Sequence, residues 1–371
     1  MRELTSASSP VEWRIDTASG ARLVTLRDEG GLSFRSVCGG AGEAVVVAAN
    51  RHRADGGDDT LYLTVGPDGV EEITVEHEGV NPALYTGPDG NPWVRMSVLQ
   101  DGVDQEPDTL LPLRGRGRWE QPPRTSAFAG DFVGWIGDRA FWHLDDVFDE
   151  RRPSRVQAAD LESGAGGPRW RVRRPVRLPL PQSQYAVVCT DGAQLAVLAL
   201  DADPAGPATL RILTPDTLAV ERERPVLRDP EEAFLLLAEA HSDGSALLYS
   251  VADDGRVSAV RLDGTGARST APAGVLPDGP FAVWPVHGPG HHALRFTTEH
   301  TNGLLVLDGA TPVALWAGAP DRYRDSVTGR ETRLGADWGL PVLVGAAASG
   351  RSHALLLRPE DDRTRLAVLF G

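Results

Sequence analysis

The sequence predicts an all-β fold, a single seven-bladed β-propeller with four-stranded antiparallel blades. Three observations predict it. An apolar run, a tight Gly-containing turn and a second apolar run recur together seven times. Short period-2 apolar runs follow each copy, and long amphipathic helical patterns are absent from the sequence. Units this small cannot bury their own apolar faces, so we expect them to stack as the blades of one domain spanning 1–371.

Each copy supplies the first two strands, a and b, of a blade. The copies are SVCGGAGEAVVV (36–47), LYTGPDGNPWVRM (84–96), GWIGDRAFWHL (134–144), VVCTDGAQLAVLAL (187–200), AEAHSDGSALLYS (238–250), WPVHGPGHHALRF (284–296) and GAAASGRSHALLL (345–357). With strands c and d added, the blades are predicted at about 33–77, 82–120, 131–174, 184–223, 233–271, 280–317 and 341–371. Residues 229–240 also carry a helix-start signal at Asp229, but FLLLAEA aligns with the other a strands and favours a strand.

The last blade has only three strands before the sequence ends at Gly371. Two apolar segments near the N-terminus, VEWRID (11–16) and ARLVTLR (21–27), have no blade of their own. We expect one of them, preferably 21–27 with its cleaner alternation, to pair with TRLAVLFG (364–371). This N-terminal strand would join the C-terminal blade and remove its open edge.

The third strands carry a family resemblance. Segments such as GLLVLDGATPVALW (303–316), VSAVRLDGTGAR (257–268) and LRILTPDTLAVERE (210–223) resemble the blades of YVTN and quinoprotein-like propellers. They resemble WD repeats only partly, because Leu-Asp pairs stand where WD repeats have Trp-Asp. The resemblance implies an architecture and no particular activity.

Composition and net charge exclude some classes of partner and of chemistry. The formal net charge is −15, and all 37 basic residues are Arg. Without a basic surface, neither a nucleic-acid backbone nor an anionic membrane is expected as the main partner. The absence of Lys excludes lysine chemistry and matches a GC-rich, bacterial-type coding bias. The N-terminus lacks signal-peptide features, and no apolar run is long enough to span a membrane, so we expect a cytoplasmic protein with free Cys38 and Cys189.

The predicted b–c loops are acidic, and in a propeller they share one face with the d–a loops, the face that usually binds ligands. Their carboxylates are Asp55, Asp58, Asp59, Asp101, Asp104, Glu106, Asp108, Asp145, Asp146, Asp149, Glu150, Asp201, Asp203, Asp253, Asp254, Glu299, Glu360, Asp361 and Asp362. Asp is also a common turn residue, so a purely structural role is the alternative. No loop has a complete calcium motif, and no metal site is predicted.

Irregular connections are candidate sites because function is often added to loops. The longest, 318–341, is predicted to lie beside the channel mouth as a lid, and its candidate binding residues are Arg322, Tyr323, Arg324, Arg333 and Trp338. In the b–c loop of the third blade, the candidates are Asp145, Asp146 and Asp149. The Pro- and Arg-rich connection 169–184 is expected to run extended over the surface.

Histidines and nucleophiles give weaker signals. His287, His291 and His292 cluster at an a–b turn, where a structural role competes with metal binding. His143 stands beside Asp residues but alternates within a strand. No G-x-S-x-G motif is present, and no cofactor is predicted.

Two functions therefore remain open. The first is a binding or scaffold propeller that presents its acidic loops to a basic protein surface or a small-molecule ligand. The second is a propeller enzyme, a hydrolase, lyase or cyclase, with its site at the channel mouth under 318–341.

Overall fold

A computed structural model gives the fold of this chain. It describes residues 12–16, 22–27, 32–40, 42–52, 58–73, 80–88, 90–100, 103–113, 131–144, 155–164, 167–177, 185–190, 193–200, 206, 208–277, 279–288, 291–299, 302–316, 322–324, 331–333, 342–349, 352–358 and 365–370, with only the backbone described in parts of some strands. These residues form strands and turns, and all strand pairs are antiparallel. None of the described segments is a helix able to span a membrane.

The chain divides into two compact units, residues 1–115 with 280–371 and residues 116–279. The first unit opens with β1 and β2, which belong to the sheet formed at the C-terminal end and here called sheet 7. Sheets 1 and 2 follow. The strands are β1 (Glu12–Asp16) and β2 (Arg22–Arg27); β3 (Leu32–Gly39), β4 (Val45–His52), β5 (Asp58–Gly66) and β6 (Gly69–Ile73) in sheet 1; β7 (Val80–Thr86), β8 (Pro92–Gln100) and β9 (Val103–Pro112) in sheet 2.

The second unit contains sheets 3, 4 and 5. Sheet 3 has β10 (Asp131–Ile136), β11 (Arg139–Leu144), β12 (Arg155–Gly164), β13 (Gly167–Val172) and β14 (Val176–Arg177). Sheet 4 has β15 (Tyr185–Thr190), β16 (Gln194–Leu200), β17 (Ala208–Leu213) and β18 (Val220–Val226). Sheet 5 has β19 (Glu232–Ala240), β20 (Ala246–Ala252), β21 (Arg256–Leu262) and β22 (Arg268–Val275), so the FLLLAEA segment is a strand as predicted.

The first unit then resumes with sheets 6 and 7. Sheet 6 has β23 (Ala282–Gly288), β24 (His291–Thr297), β25 (Asn302–Asp308), β26 (Thr311–Trp316), β27 (Arg322–Arg324) and β28 (Glu331–Arg333). Sheet 7 has β29 (Val342–Ser349), β30 (Ser352–Arg358) and β31 (Arg365–Phe370), and its order is β1-β2-β31-β30-β29. The predicted partner strand is therefore β2, which pairs with β31 from Arg22↔Phe370 to Arg27↔Arg365.

The sheets are small antiparallel units of strands consecutive in sequence, which is the blade construction of a β-propeller. The prediction of seven four-stranded blades is wrong in its detail. Six sheets have the four or more strands of a complete blade, whereas sheet 2 has three strands in the described residues. The predicted fourth strand of sheet 2, GRWE (117–120), lies outside the described residues. Sheets 3, 6 and 7 instead carry extra strands at their edges.

Both faces of the central strands are buried, because successive side chains of a strand point to opposite faces. In β4, Val45 and Val47 pack in a cluster with Leu366 and Val368 of sheet 7. The alternate residue Val46 packs with Leu84 and Val94 of sheet 2. In the second unit, one cluster joins sheets 3 and 4 and another joins sheets 4 and 5. Within each unit, the sheets therefore stack face to face.

Candidate binding surfaces

The described part of the predicted lid, 318–341, lies at a sheet edge. Residues 322–324 and 331–333 form a short hairpin, β27–β28, that pairs with β26 through Leu315↔Arg324. In the order of sheet 6, this hairpin is farthest from the first strand β23. With strands about 4.8 Å apart, β28 lies roughly 24 Å from β23 across the sheet. The described part of 318–341 therefore extends an outer sheet edge and does not cover the first strands.

The predicted site residues are only partly visible. Arg322, Tyr323 and Arg324 lie in β27 and Arg333 lies in β28, where only the backbone is described. The remaining four predicted site residues, Asp145, Asp146, Asp149 and Trp338, lie outside the described residues. Their role as binding residues stays a prediction.

Five of the carboxylates assigned to b–c loops are in strands. Asp58 and Asp59 belong to β5, and Asp104, Glu106 and Asp108 belong to β9. The connection between β8 and β9 is accordingly shorter than predicted, because β9 begins at Val103. Charged residues at alternate positions remove the apolar periodicity by which a strand is predicted from sequence.

Three exposed carboxylates lie at one end of sheet 5, which we call the acidic edge. It contains Glu231 before β19 and Asp253 and Asp254 in the turn between β20 and β21, all exposed. Arg256 donates hydrogen bonds to Asp254 (Nε–Oδ2, 2.7 Å) and Glu231 (Nη2–Oε2, 2.7 Å). One guanidinium thus pairs with two of these three carboxylates.

The acidic edge also has an apolar component. Val275 pairs with Arg256 in the register of β21 and β22 and is 61% exposed. Hydrogen bonds from the Arg256 side chain and backbone lower the pKa of Asp254, so this carboxyl remains ionised in mildly acidic solution. A charged, exposed edge with an apolar side chain has the composition of an interface rim.

Two other turn aspartates are structural. Asp243 accepts hydrogen bonds from the hydroxyl and backbone N–H of Ser245, and Asp263 accepts the equivalent bonds from Thr265. These bonds lower the pKa of both carboxyls. At these two positions the turn-forming role of Asp, the alternative to binding, explains the residue.

A half-buried ion-pair network links sheet 3 to the β17–β18 turn of sheet 4. The Asp160 carboxylate accepts hydrogen bonds from Arg139 Nε (2.5 Å) and Arg173 Nε (2.7 Å). Arg139 continues to Asp216 (2.8 Å), and Arg173 donates to the Asp216 backbone carbonyl (2.6 Å). Burial alone would raise the pKa of Asp160, but the hydrogen bonds from Arg173 and Arg139 outweigh it and lower the pKa. A paired carboxylate that is ionised at neutral pH is suited to holding sheets together and poorly suited to proton transfer.

Some arginines of the Arg-rich segment 169–184 belong to this network. Arg171 lies 3.8 Å from Asp160 and pairs with Glu162 at 3.2 Å, and Arg169 also pairs with Glu162. Strands β13 and β14 both pair with β12, so residues 167–177 follow a sheet edge. The predicted extended path over the surface stays a prediction for 178–184, which lie outside the described residues.

The histidines lie where the sequence predicts. His287 pairs with His292 in the register at the β23–β24 turn, and His143 pairs with Asp131 across β10 and β11. Within the ranges given above, no group of three or more His, Cys, Asp or Glu side chains is arranged to hold a metal ion. Cys38 is buried and free, and burial raises the pKa of its thiol to about 12, so it is inert. Cys189 lies in β15, of which only the backbone is described.

The first two strands of sheet 6 carry an exposed surface that the sequence does not predict. Trp284 of β23 is 46% exposed, and the guanidinium carbon of Arg295 lies 5.0 Å from its ring centroid. Phe281, next to the start of β23, is 66% exposed. A tryptophan in an apolar strand pattern normally predicts core, which is why the sequence gives no sign of this exposure.

Comparisons with known proteins show no family. No protein-family model and no curated protein matches the chain. Among solved structures, the WD40 domain of SCAP from fission yeast is similar at 10% identity and a TM-score of 0.49, over 98% of each chain. A prolyl endopeptidase structure (16%, TM-score 0.45) and prolyl oligopeptidase B from Galerina marginata (9%, TM-score 0.46) match 91% and 89% of this chain.

The chain spans about half the length of both peptidases, 47% in each case. At these TM-scores the likenesses add nothing to what the strand order shows. None of these three structures is described as a YVTN or quinoprotein-like propeller, so that resemblance stays a prediction.

Proposed function

We propose that the protein is a cytoplasmic binding or scaffold propeller that presents acidic surface to a basic protein partner or ligand. The observation that carries this proposal is the acidic edge of sheet 5, where Glu231, Asp253 and Asp254 are exposed and Arg256 is the neutralising cation. The net charge of −15 adds a long-range field of the same sign. Such a field attracts a basic surface and speeds its association.

The enzyme alternative has less support in the described residues. Asp160 is locked between two arginines, and the Cys38 thiol is buried. The described strands of the 318–341 hairpin lie at an outer sheet edge. No observation on the described part of the chain therefore favours a catalytic site over a binding surface.

The test uses a nona-arginine peptide as the basic probe and isothermal titration calorimetry as the readout. Asp253→Arg should weaken binding at least about fivefold, because it changes the charge of the acidic edge by two units. Raising NaCl from about 50 to about 300 mM, which shortens the Debye length from roughly 14 to 6 Å, should weaken binding of the natural sequence as well.

The matched control is Glu221→Arg, the same charge change at an exposed position of β18. If the acidic edge is the binding surface, the control retains most of the affinity. Equal losses in the two variants would mean that the probe reads only net charge, and the proposal would then fail. Reversal of Asp145, Asp146 and Asp149 in a third variant tests the predicted loop of the third blade in the same assay.

A further inference from the structure

Trp284 and Arg295 form a cross-strand pair with the chemistry of a ligand site. They are directly opposite in the register of β23 and β24, so both side chains lie on the same face of sheet 6. The guanidinium stands over the indole ring, with 5.0 Å between its carbon and the ring centroid, within cation–π range. Trp284 is still 46% exposed.

Arg295 differs from three other part-buried arginines, Arg139, Arg173 and Arg268. These three each donate to a carboxylate, of Asp160 for the first two and of Glu232 for the third. Within the described residues, the guanidinium of Arg295 has no carboxylate partner, and its stabilising contact is the Trp284 ring. Burial lowers the pKa of Arg295, although arginine stays charged at any physiological pH.

A partly desolvated cation without a counter-ion costs free energy, and the binding of an anionic ligand offsets that cost. The contact with the Trp284 ring, 5.0 Å from the guanidinium carbon, does not bind the N–H edge of Arg295, which has no carboxylate partner among the described residues. The N–H groups along that edge match the two oxygens of a carboxylate in spacing and plane, so arginine and a carboxylate can form two parallel hydrogen bonds. Trp284 and Phe281, which directly precedes the strand, are both exposed and offer apolar contact to the group that carries the carboxylate.

We propose that Trp284 and Arg295 form a binding site for a carboxylate attached to an apolar group. The guanidinium edge holds the carboxylate, and the indole face packs against the apolar group. Such a ligand is either the C-terminal carboxylate of a peptide with an apolar last residue or a small aryl carboxylic acid. This site has the opposite charge to the acidic edge and is separate from it in the sequence.

The test titrates the full chain with N-acetylphenylalanine, using its neutral amide, N-acetylphenylalaninamide, as the matched ligand control. Binding is followed by calorimetry and by the ¹⁵Nε chemical shift of Arg295. Arg295→Gln removes the charge, Arg295→Lys keeps the charge without the planar fork, and Trp284→Leu keeps an apolar side chain without the ring. Arg35→Gln, an exposed arginine in β3 of the same unit, is the control variant. Circular dichroism melting verifies that each variant is folded.

We expect saturable binding of the acid, no binding of the amide, and a loss of at least about tenfold in Arg295→Gln and Trp284→Leu. Arg295→Lys should fall between them and the natural sequence, and Arg35→Gln should bind normally. Benzoate distinguishes the two sources: tighter binding of N-acetylphenylalanine assigns the site to peptide termini, and equal or tighter binding of benzoate assigns it to small acids.

Equal binding of the amide, binding of the acid that Arg295→Gln leaves unchanged, or displacement of the acid by inorganic phosphate at equal concentration would overturn the proposal. Failure here is distinguishable from failure of the proposed function, because nona-arginine binding at the acidic edge does not depend on Arg295.

Discussion

Arginine makes several kinds of contact in this lysine-free chain, and the shape of its guanidinium group makes them possible. Arg139 donates through Nε to Asp160 and through Nη1 to the Pro215 carbonyl and to Asp216. Arg224 reaches the backbone carbonyls of Asp243 (3.3 Å) and Asp263 (3.5 Å) in the turns of sheet 5. One planar group with five donors can bridge a side chain and a turn, which a lysine ammonium does less well. Guanidinium groups therefore connect neighbouring sheets of the second unit.

The Asp160 network yields a prediction about stability. Asp160→Asn removes the charge that faces half-buried Arg139 and Arg173, and we expect the free energy of unfolding at pH 7 to fall by about 1–3 kcal/mol. The pKa of Asp160 is lowered in the folded protein, so its contribution is complete above its ordinary pKa of about 3.9 and is lost as the pH falls through the lowered value. The difference between variant and natural sequence should accordingly shrink below about pH 4.

Urea denaturation at pH 7 and at pH 3 measures both quantities. The control is Asp216→Asn in the same network, because the Asp216 side chain is 82% exposed against 16% for Asp160. Exposed pairs contribute little, so the control should change stability by less than about 1 kcal/mol. If the two variants are equally destabilised, or if the Asp160 difference persists at pH 3, the charge pairing is not the cause.

Residue roles were the hardest feature to predict from sequence. Cys38 is a buried, free thiol in the structure, whereas the sequence predicted the free thiol and not its burial. The pairing of Asp160 with arginines near positions 139 and 173 depends on contacts between distant segments, which no local pattern reports. Trp284 illustrates the reverse problem, because apolar strand residues are usually buried and this one is 46% exposed.

Strands were predictable where apolar residues alternate and were missed where polar ones do. The b and c strands of the sheets have buried apolar side chains wherever these are described. The hairpin β27–β28, with the sequences RYR and ETR, has no apolar periodicity and was predicted as part of a lid. Edge strands bury few side chains, so their sequences show little of the apolar alternation that predicts a strand.

The N-terminal strands β1 and β2 lead to a prediction about the stability of sheet 7. Strand β2 covers the edge of β31, whose Leu366 and Val368 are buried, whereas β1 is the outermost strand of sheet 7. Deletion of residues 1–27 should expose that edge, lower the melting temperature by at least about 5 °C and promote aggregation.

Deletion of residues 1–20 is the matched control, since it removes β1 and retains β2. It should melt within about 3 °C of the full chain. Thermal melts with light scattering compare the two deletions. A monomeric protein lacking 1–27 with an unchanged melting temperature would show that β2 contributes nothing to sheet 7.

For the whole molecule, the charge distribution sets two salt responses of opposite sign. The net charge of −15 disfavours the compact state through self-repulsion, and added salt screens this long-range term first. The described ion pairs of Asp160 are short and half-buried, so salt weakens them much less. We therefore expect the melting temperature to rise by about 2–5 °C between about 20 and about 300 mM NaCl at pH 7. Over the same range, affinity for the nona-arginine probe should fall, because attraction to an acidic surface is screened by the same ions.

Differential scanning fluorimetry and calorimetry on one preparation measure both responses, and an equal osmolality of glycerol controls for effects unrelated to charge. If the melting temperature falls with NaCl, local ion pairs dominate the electrostatics of folding and the self-repulsion argument is wrong. If stability rises while binding is insensitive to salt, the acidic surface acts on solubility alone. Only the combination of rising stability and falling affinity supports a molecule whose excess of carboxylates is retained, at some cost in stability, for association with a basic partner.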